Sequence, residues 1–388
     1  MEISRPQINN DGDHVIVSAE FNIGGETNSL WFKVEEKYRQ FVVVERADAF
    51  LVGLLYFAMQ RGEDIRIHAP VSEKLFYNLT TYLIPAIALA NPRFSIIKVI
   101  PDSLESESIN IQNAVGTGFS GGVDSFCTIV EHLTNALCPP HYRLSHLTFF
   151  NVGSHGDYGG ATASELFNKR LQELKEFPHE VGLKFVSVDS NIADILQLNF
   201  AATHSLRSMA PVLLLQKLFR VYYYSSGYRM DDFRIKNAAA DSSAYDILNM
   251  AMLATESTDL YSSGCQHTRV EKTAIIADYE PCWRFLNVCV LDKDNCSSCF
   301  KCMRTLLTLD IIGKIGNFAH VFDLALYQKN KNRYISEVLS HRGDYIMKDI
   351  YTEMQSRSFD VPIRSRYLTY RGKLLSPVKR LLYAFGRK

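Results

Sequence analysis

The sequence predicts an α/β protein built around a parallel sheet, with an N-terminal α+β segment, a zinc-binding segment and a helical C-terminus. Three observations carry that prediction. Between residues 109 and 225, strand and helix patterns alternate, the order that gives a parallel sheet covered on both faces. The first strand and helix of that series are joined by a glycine-rich turn, Gly116-Thr-Gly-Phe-Ser-Gly-Gly-Val-Asp-Ser125. Five of the eight cysteines fall between Cys282 and Cys302, and the first 126 residues have none.

Composition sets the frame. The chain has 388 residues, 47% hydrophobic and 22% charged, as expected of globular chains, and its length suits about two domains. Lys plus Arg equals Asp plus Glu at 42 each, so no global field favours nucleic acid. The opening Met1-Glu-Ile-Ser-Arg-Pro lacks the apolar core of a signal peptide, and no apolar run reaches spanning length. Clustered cysteines fit an intracellular metal site better than a spread disulfide framework, so a cytoplasmic location is expected.

Taken in order, residues 1–108 read as a small α+β domain. Val15–Phe21 and Leu30–Val34 alternate as strands around a turn at Gly24-Gly25, and Phe41–Glu45 reads as a short strand or the entry to the next element. Ala47–Arg61 is a helix with Phe50, Leu51, Leu54, Leu55, Ala58 and Met59 on one face, stopped by Gly62. Ile65–Ala69 is a strand; Glu73–Leu89 is a helix kinked at Pro85; Phe94–Val99 is a strand. Arg66 and His68 read as surface residues.

Residues 109–310 form the main domain. Its strands are Ile109–Val115, Leu147–Val152, Lys184–Asp189 and Val221–Ser225, and its helices Ser125–Leu137, Ala161–Glu176 and about Ser205–Leu218. All four strand ends are polar or glycine-rich, and ligands of such sheets bind beyond those ends. Phe149, Phe150 and Val152 read as partly core, partly ligand wall, with Asn151 at the strand end. Residues 231–264 read as loop.

The turn before Ser125 is a phosphate site by construction. Glycines admit a close approach, and the first amides of the helix point at an anion with the helix dipole behind them. Ser120 and Ser125 offer hydroxyls. Asp124 beside phosphate suggests a metal such as Mg2+, or a donor group. A Walker loop would need Gly-Lys-Ser/Thr, which is missing. The fingerprint G-x-G-x-x-G fits Gly116, Gly118 and Gly121, but the next strand ends in Asn151-Val-Gly-Ser-His155 rather than in a ribose-binding acid.

Further on, Gln266-His-Thr-Arg-Val-Glu-Lys272 either clamps phosphate, through His267 and Arg269, or is a solvated helix start with Glu271 on the dipole. Cys289, Cys296, Cys299 and Cys302 have the spacing of four thiolates around one ion, which suits structural zinc; an iron–sulfur cluster is the rival. Cys282 is separated from them by Trp283 and its neighbours. Lys301 and Arg304 could face the phosphate crevice. Residues 311–388 are mainly helical and end in a basic tail, with eight Lys or Arg and no acid in the last 25 positions.

Ser120-Gly-Gly-Val-Asp-Ser125 resembles the PP-loop of the ATP pyrophosphatase superfamily, over all six positions of its signature. The resemblance implies the HUP-type nucleotide hydrolase-like fold and an ATP site at Phe119, Ser120, Gly121, Gly122, Val123, Asp124 and Ser125. Adenine would lie against backbone near Phe150 and Asn151. With the four-cysteine pattern, residues 110–305 resemble the 7-cyano-7-deazaguanine synthases, carbon–nitrogen ligases that adenylate a carboxylate and let ammonia displace AMP. Stretches such as Trp31-Phe-Lys-Val and Thr268–Lys272 look more like synthase-like proteins of bacterial defence gene sets. The synthases carry S-G-Y-P-D-C at their base pocket; here Ser226-Gly-Tyr228 continues Arg-Met-Asp-Asp-Phe.

The resemblance thus implies ATP, Mg2+ and Zn2+, with Asp124, Ser120 and Arg269 as catalytic residues. It implies a small-molecule acid substrate and an amine donor, leaving open a protein partner and a homodimer. A tRNA sulfurtransferase, with Cys127 as the thiol beside the loop, and a non-catalytic nucleotide-binding platform are the rivals.

Overall fold

In the computed structural model, residues 1–289 and 294–372 are described. The chain divides into two units. The first is Met1–Ser120 with Glu131–Gln266, and the second is Gly121–Val130 with the chain from His267 onward. The expected boundary near residue 108 falls inside the first unit.

The first unit holds eleven strands in one sheet: β1 (Glu2–Ile3), β2 (Gln7–Asp11), β3 (His14–Ile23), β4 (Glu26–Glu35), β5 (Ile65–Ser72), β6 (Val99–Glu105), β7 (Ala114–Gly118), β8 (His146–Phe150), β9 (Lys184–Ser190), β10 (Phe219–Ser225) and β11 (Asp259–Ser263). The order is β11-β10-β7-β8-β9-β4-β3-β1-β5-β6, with β2 on β3. From β11 to β9 every pairing is parallel. At β9 the direction changes: Phe32, Lys33 and Val34 of β4 pair antiparallel with Ser190, Asp189 and Val188. The N-terminal strands therefore extend the same sheet.

Burial follows the pattern expected of each position. β8 is buried along its whole length, as a central parallel strand covered on both faces should be. β3 alternates, with Val15, Val17, Ala19, Phe21 and Ile23 turned inward. The helix Asp48–Arg61 is buried all round between Asp48 and Met59 rather than on one face, and it packs against the helix Phe200–Leu214. Gly53 permits close packing there: a Cβ would sit 3.0 Å from Leu30 Cδ2 and 3.6 Å from the Ala210 Cβ. Gly62 closes the helix in the left-handed conformation.

Several elements differ from the sequence reading. Phe41 ends a 3-10 turn, Glu36–Phe41, instead of starting a strand, and the strand expected over 94–99 begins only at Val99. Residues 73–90 run on helically through a π turn, Leu79–Leu83, just before Pro85; the wide turn absorbs the proline's missing N–H. The helix expected from about Ser205 begins at Phe200, capped by the Asn199 side chain. Within 231–264, read as loop, lie the helix Asp246–Leu253 and strand β11. β7 starts at Ala114, so Gly116 and Gly118 lie in the strand. The glycine at 116 makes room for the β10 aromatics: a Cβ would meet Phe219 at 2.6 Å.

The second unit is helical: Val123–Ile129, Arg269–Ala277, Cys282–Phe285, Phe300–Ile311, Leu324–Ser340, Tyr345–Ser356 and residues 363–372. The helix Arg269–Ala277 packs on both Val123–Ile129 and Phe300–Ile311. Among the described residues no helix is long and apolar enough to cross a membrane. Most of the basic tail lies outside the described residues.

Candidate anion and metal sites

The glycine turn has the backbone expected of an anion-binding loop. Gly121 is left-handed at φ 75°, and Gly122 is the extended N-cap of the helix that Val123 begins. Asn287 N–H bonds the Gly121 carbonyl at 2.8 Å, and the Ser125 hydroxyl donates to the Gly122 carbonyl at 3.0 Å. Ser125 thus braces the turn from a buried position.

Asp124 is the centre of the charge arrangement. Its two oxygens receive Arg269 Nη1 at 2.6 Å and Lys272 Nζ at 3.1 Å. Burial opposes the charge, but these two cations hold the Asp124 carboxyl below the usual range.

The helix Arg269–Ala277 has both features the sequence left open. Thr268 and Glu271 form a reciprocal capping box, with Thr268 Oγ1 accepting from Glu271 N at 3.1 Å and Glu271 Oε2 accepting from Thr268 N at 2.7 Å. Arg269 and Lys272, three residues apart on one face, turn to Asp124. Lys272 was not singled out from sequence, although its spacing from Arg269 was the available signal.

Two further cations belong to the same group. Arg304, only 7% exposed, lies on the buried side of the helix Phe300–Ile311. Burial and repulsion from Arg269 push its guanidinium down to about 10, against the pull of Asp124. Among the described residues its Nε finds no hydrogen-bond partner. Lys301, one turn earlier, is lowered by burial, Arg304 and Arg269, and is drawn the other way by Asp124 and Cys299. Arg269 and Lys272 therefore converge on one carboxylate, and Arg304 lies near enough to be repelled by Arg269 and attracted by Asp124. Such an arrangement favours an incoming anion.

The remaining expected site residues lie in the first unit. Phe119 is 2% exposed, stacks on Phe177 at 4.6 Å, and its N–H extends the ladder to the Thr148 carbonyl, so its side chain is core. Ser120 accepts from Arg170 at its carbonyl. Phe150 belongs to the hydrophobic core, and the Asn151 amide donates to Asp189 at 2.7 Å. Phe149 stacks on Phe167.

The cysteine cluster can hold a metal ion. The four sulfurs of Cys289, Cys296, Cys299 and Cys302 lie within 4.8 Å of one another. The Cys289–Cys299 and Cys296–Cys302 separations are both 3.9 Å, against about 3.8 Å for a tetrahedron of ~2.3 Å zinc–sulfur bonds. Cys299 caps the helix Phe300–Ile311, accepting from Cys302 N, and Cys299 N donates to Cys296 Sγ at 3.2 Å. Against burial, that amide and Ser298 bring the Cys296 thiol down to about 6, which suits a thiolate ligand. Cys282 and Cys127 are both fully buried and stand outside the cluster. Burial and the nearby Cys127 push the Cys282 thiol up.

Comparison with known proteins finds no matching family model, no matching curated protein and no matching solved structure.

Proposed function

We propose that the protein is an ATP-dependent carbon–nitrogen ligase of the PP-loop type, which adenylates an acid and passes the acyl group to an amine. The observation that carries this reading is Arg304: a buried guanidinium, unsatisfied at Nε and repelled by Arg269, beside a glycine turn at a helix start. Buried positive charge without enough counter-charge is costly, and phosphate oxygens would supply it.

On this reading the amides after Gly121 and the side chains of Arg269, Lys272 and Arg304 hold the phosphates of ATP. A carboxylate oxygen of the substrate attacks the α-phosphorus; a new O–P bond forms, the bond to the bridging oxygen breaks, and pyrophosphate leaves. The same cations stabilise charge growing on the leaving group. An amine then attacks the acyl carbon, loses a proton and displaces AMP. Asp124 orders the cations, and the cysteine cluster, loaded with zinc, braces the helix that carries Lys301 and Arg304. The resemblance makes a 7-deazaguanine carboxylate the first acid to try, with ammonia or a protein amine as acceptor. The full burial of Cys127 disfavours the sulfurtransferase reading.

The test is product analysis by phosphorus NMR with ATP and candidate acids. Pyrophosphate and AMP are expected. Arg304→Met, which keeps the bulk and drops the charge, should cut turnover by about 100-fold or more, the scale of one preorganised transition-state donor. ADP as product, or an Arg304→Met variant with full activity, would refute the assignment.

A further inference from the structure

The helix over residues 363–372 in the second unit has two unlike faces. Ser365 is fully buried, and its hydroxyl donates to Asn332 Oδ1 of the helix Leu324–Ser340 at 3.0 Å, with Leu368 and Thr369 half-buried on the same side. The opposite face carries Ile363, 85% exposed, Tyr367, 60% exposed, and Tyr370, 65% exposed. At 3.6 residues per turn these three fall within about 60° of one another around the axis, so they form one stripe. Arg366 flanks the stripe on one side, and Arg371 and Arg364 on the other; all three are exposed. Among the described residues none of these arginines has an ion-pair partner. The chain as a whole is neutral, yet Asp360 is its last acid, and the eight Lys or Arg beyond it are unbalanced.

We propose that this face docks on an anionic membrane surface, with Ile363, Tyr367 and Tyr370 in the headgroup layer and the arginines on lipid phosphates. An apolar stripe bordered by cations is the arrangement of a helix lying in the plane of an interface, where tyrosine keeps its hydroxyl in water and its ring in the boundary. Each cation near such a surface adds to the attraction, and an apolar stripe with basic residues supplies the two signals that stable attachment needs. A nucleic-acid face would set the arginines at the centre of contact; here they stand at its edges. A stripe this exposed on a neutral partner would leave three arginines without counter-charge.

The experiment uses the full-length protein and vesicles of phosphatidylcholine with or without about 30% phosphatidylserine, read by co-sedimentation. Binding should be at least about 10-fold tighter with phosphatidylserine and should weaken as salt rises. Arg366→Gln and Arg371→Gln should each weaken it by about 5-fold, and Tyr367→Ser with Tyr370→Ser by at least about 5-fold. All four side chains are exposed, so the changes leave the core intact. In Tyr370→Trp, brominated lipid chains should quench the added indole, a signal that attraction by charge alone would not give. Equal binding to both vesicles or to neither, an unquenched indole, parental binding in the arginine or tyrosine variants, or displacement by single-stranded RNA at equal phosphate concentration would overturn the assignment.

Discussion

A Cys302→Ser variant is expected to purify without zinc and to lose protection across the helices Arg269–Ala277 and Phe300–Ile311. Serine nearly matches cysteine in size, so the change tests ligation rather than packing. Cys302 is fully buried, and its backbone amide is part of the cap made by Cys299. A structural zinc site contributes about 10–16 kcal/mol of apparent binding free energy in small peptides, as much as the whole stability of a typical domain at about 5–15 kcal/mol. Metal analysis by mass spectrometry should give about one zinc for the parent chain and a small fraction of that for the variant. Hydrogen exchange should then speed up in both helices. Zinc content and exchange that stay at parental values would show that Cys302 is not a ligand. Iron in place of zinc would support the cluster alternative while keeping the same four ligands.

The second large effect is at Asp124. Asp124→Ala removes the shared counter-ion of Arg269 and Lys272, and Lys272 is 1% exposed. Breaking a fully buried pair costs about 3–5 kcal/mol; because Asp124 is 26% exposed, on the order of 2–3 kcal/mol is the expected loss. That corresponds to a Tm lower by about 7–11 °C for a unit of this size. Pyrophosphate should restore more stability to the variant than it adds to the parent, because an anion then replaces the lost carboxylate. A variant as stable as its parent, or one that pyrophosphate does not rescue, would remove Asp124 from the centre of the arrangement. The pH dependence has a definite sign. Because the Asp124 pKa is lowered on folding, its contribution is complete at neutral pH, above the ordinary carboxylate value of about 4, and is lost as acid titrates through the lower folded value. Parent and Asp124→Ala stabilities should therefore converge as the pH falls below about 4.

The local signals in the sequence proved most informative where chemistry and backbone demand coincide. The run from Ser120 to Ser125 could be read because glycines, a helix start and a lone acid occur together, and the cysteine spacing placed four sulfurs in one cluster. Gly62 and Gly24-Gly25 were legible for the same reason, since a stop or a tight turn needs a residue without a Cβ. Partnerships across long separations were not legible. Nothing near Asp124 announces Lys272, 148 positions away, as one of its ion partners. The apolar run of Asp48–Arg61 suggested a one-sided helix, and only its packing against the helix Phe200–Leu214 explains burial on every side. β11 escaped notice because Asp259–Ser263 is short and polar, and it is fixed by its register with β10 rather than by its own propensity.

The antiparallel joint between β4 and β9 has a consequence for how the chain reaches this structure. Phe32 pairs with Ser190, so the seam cannot close on a growing polypeptide until the whole of β9 has been made. Until then β4 presents an unpaired border, and deleting the opening residues would leave β9 with one instead. Such a long-range closure slows folding and rewards assistance during synthesis. The first hundred residues are thus poorly suited to removal as an accessory module, and shortened forms of the protein should tend toward aggregation rather than toward a smaller folded protein.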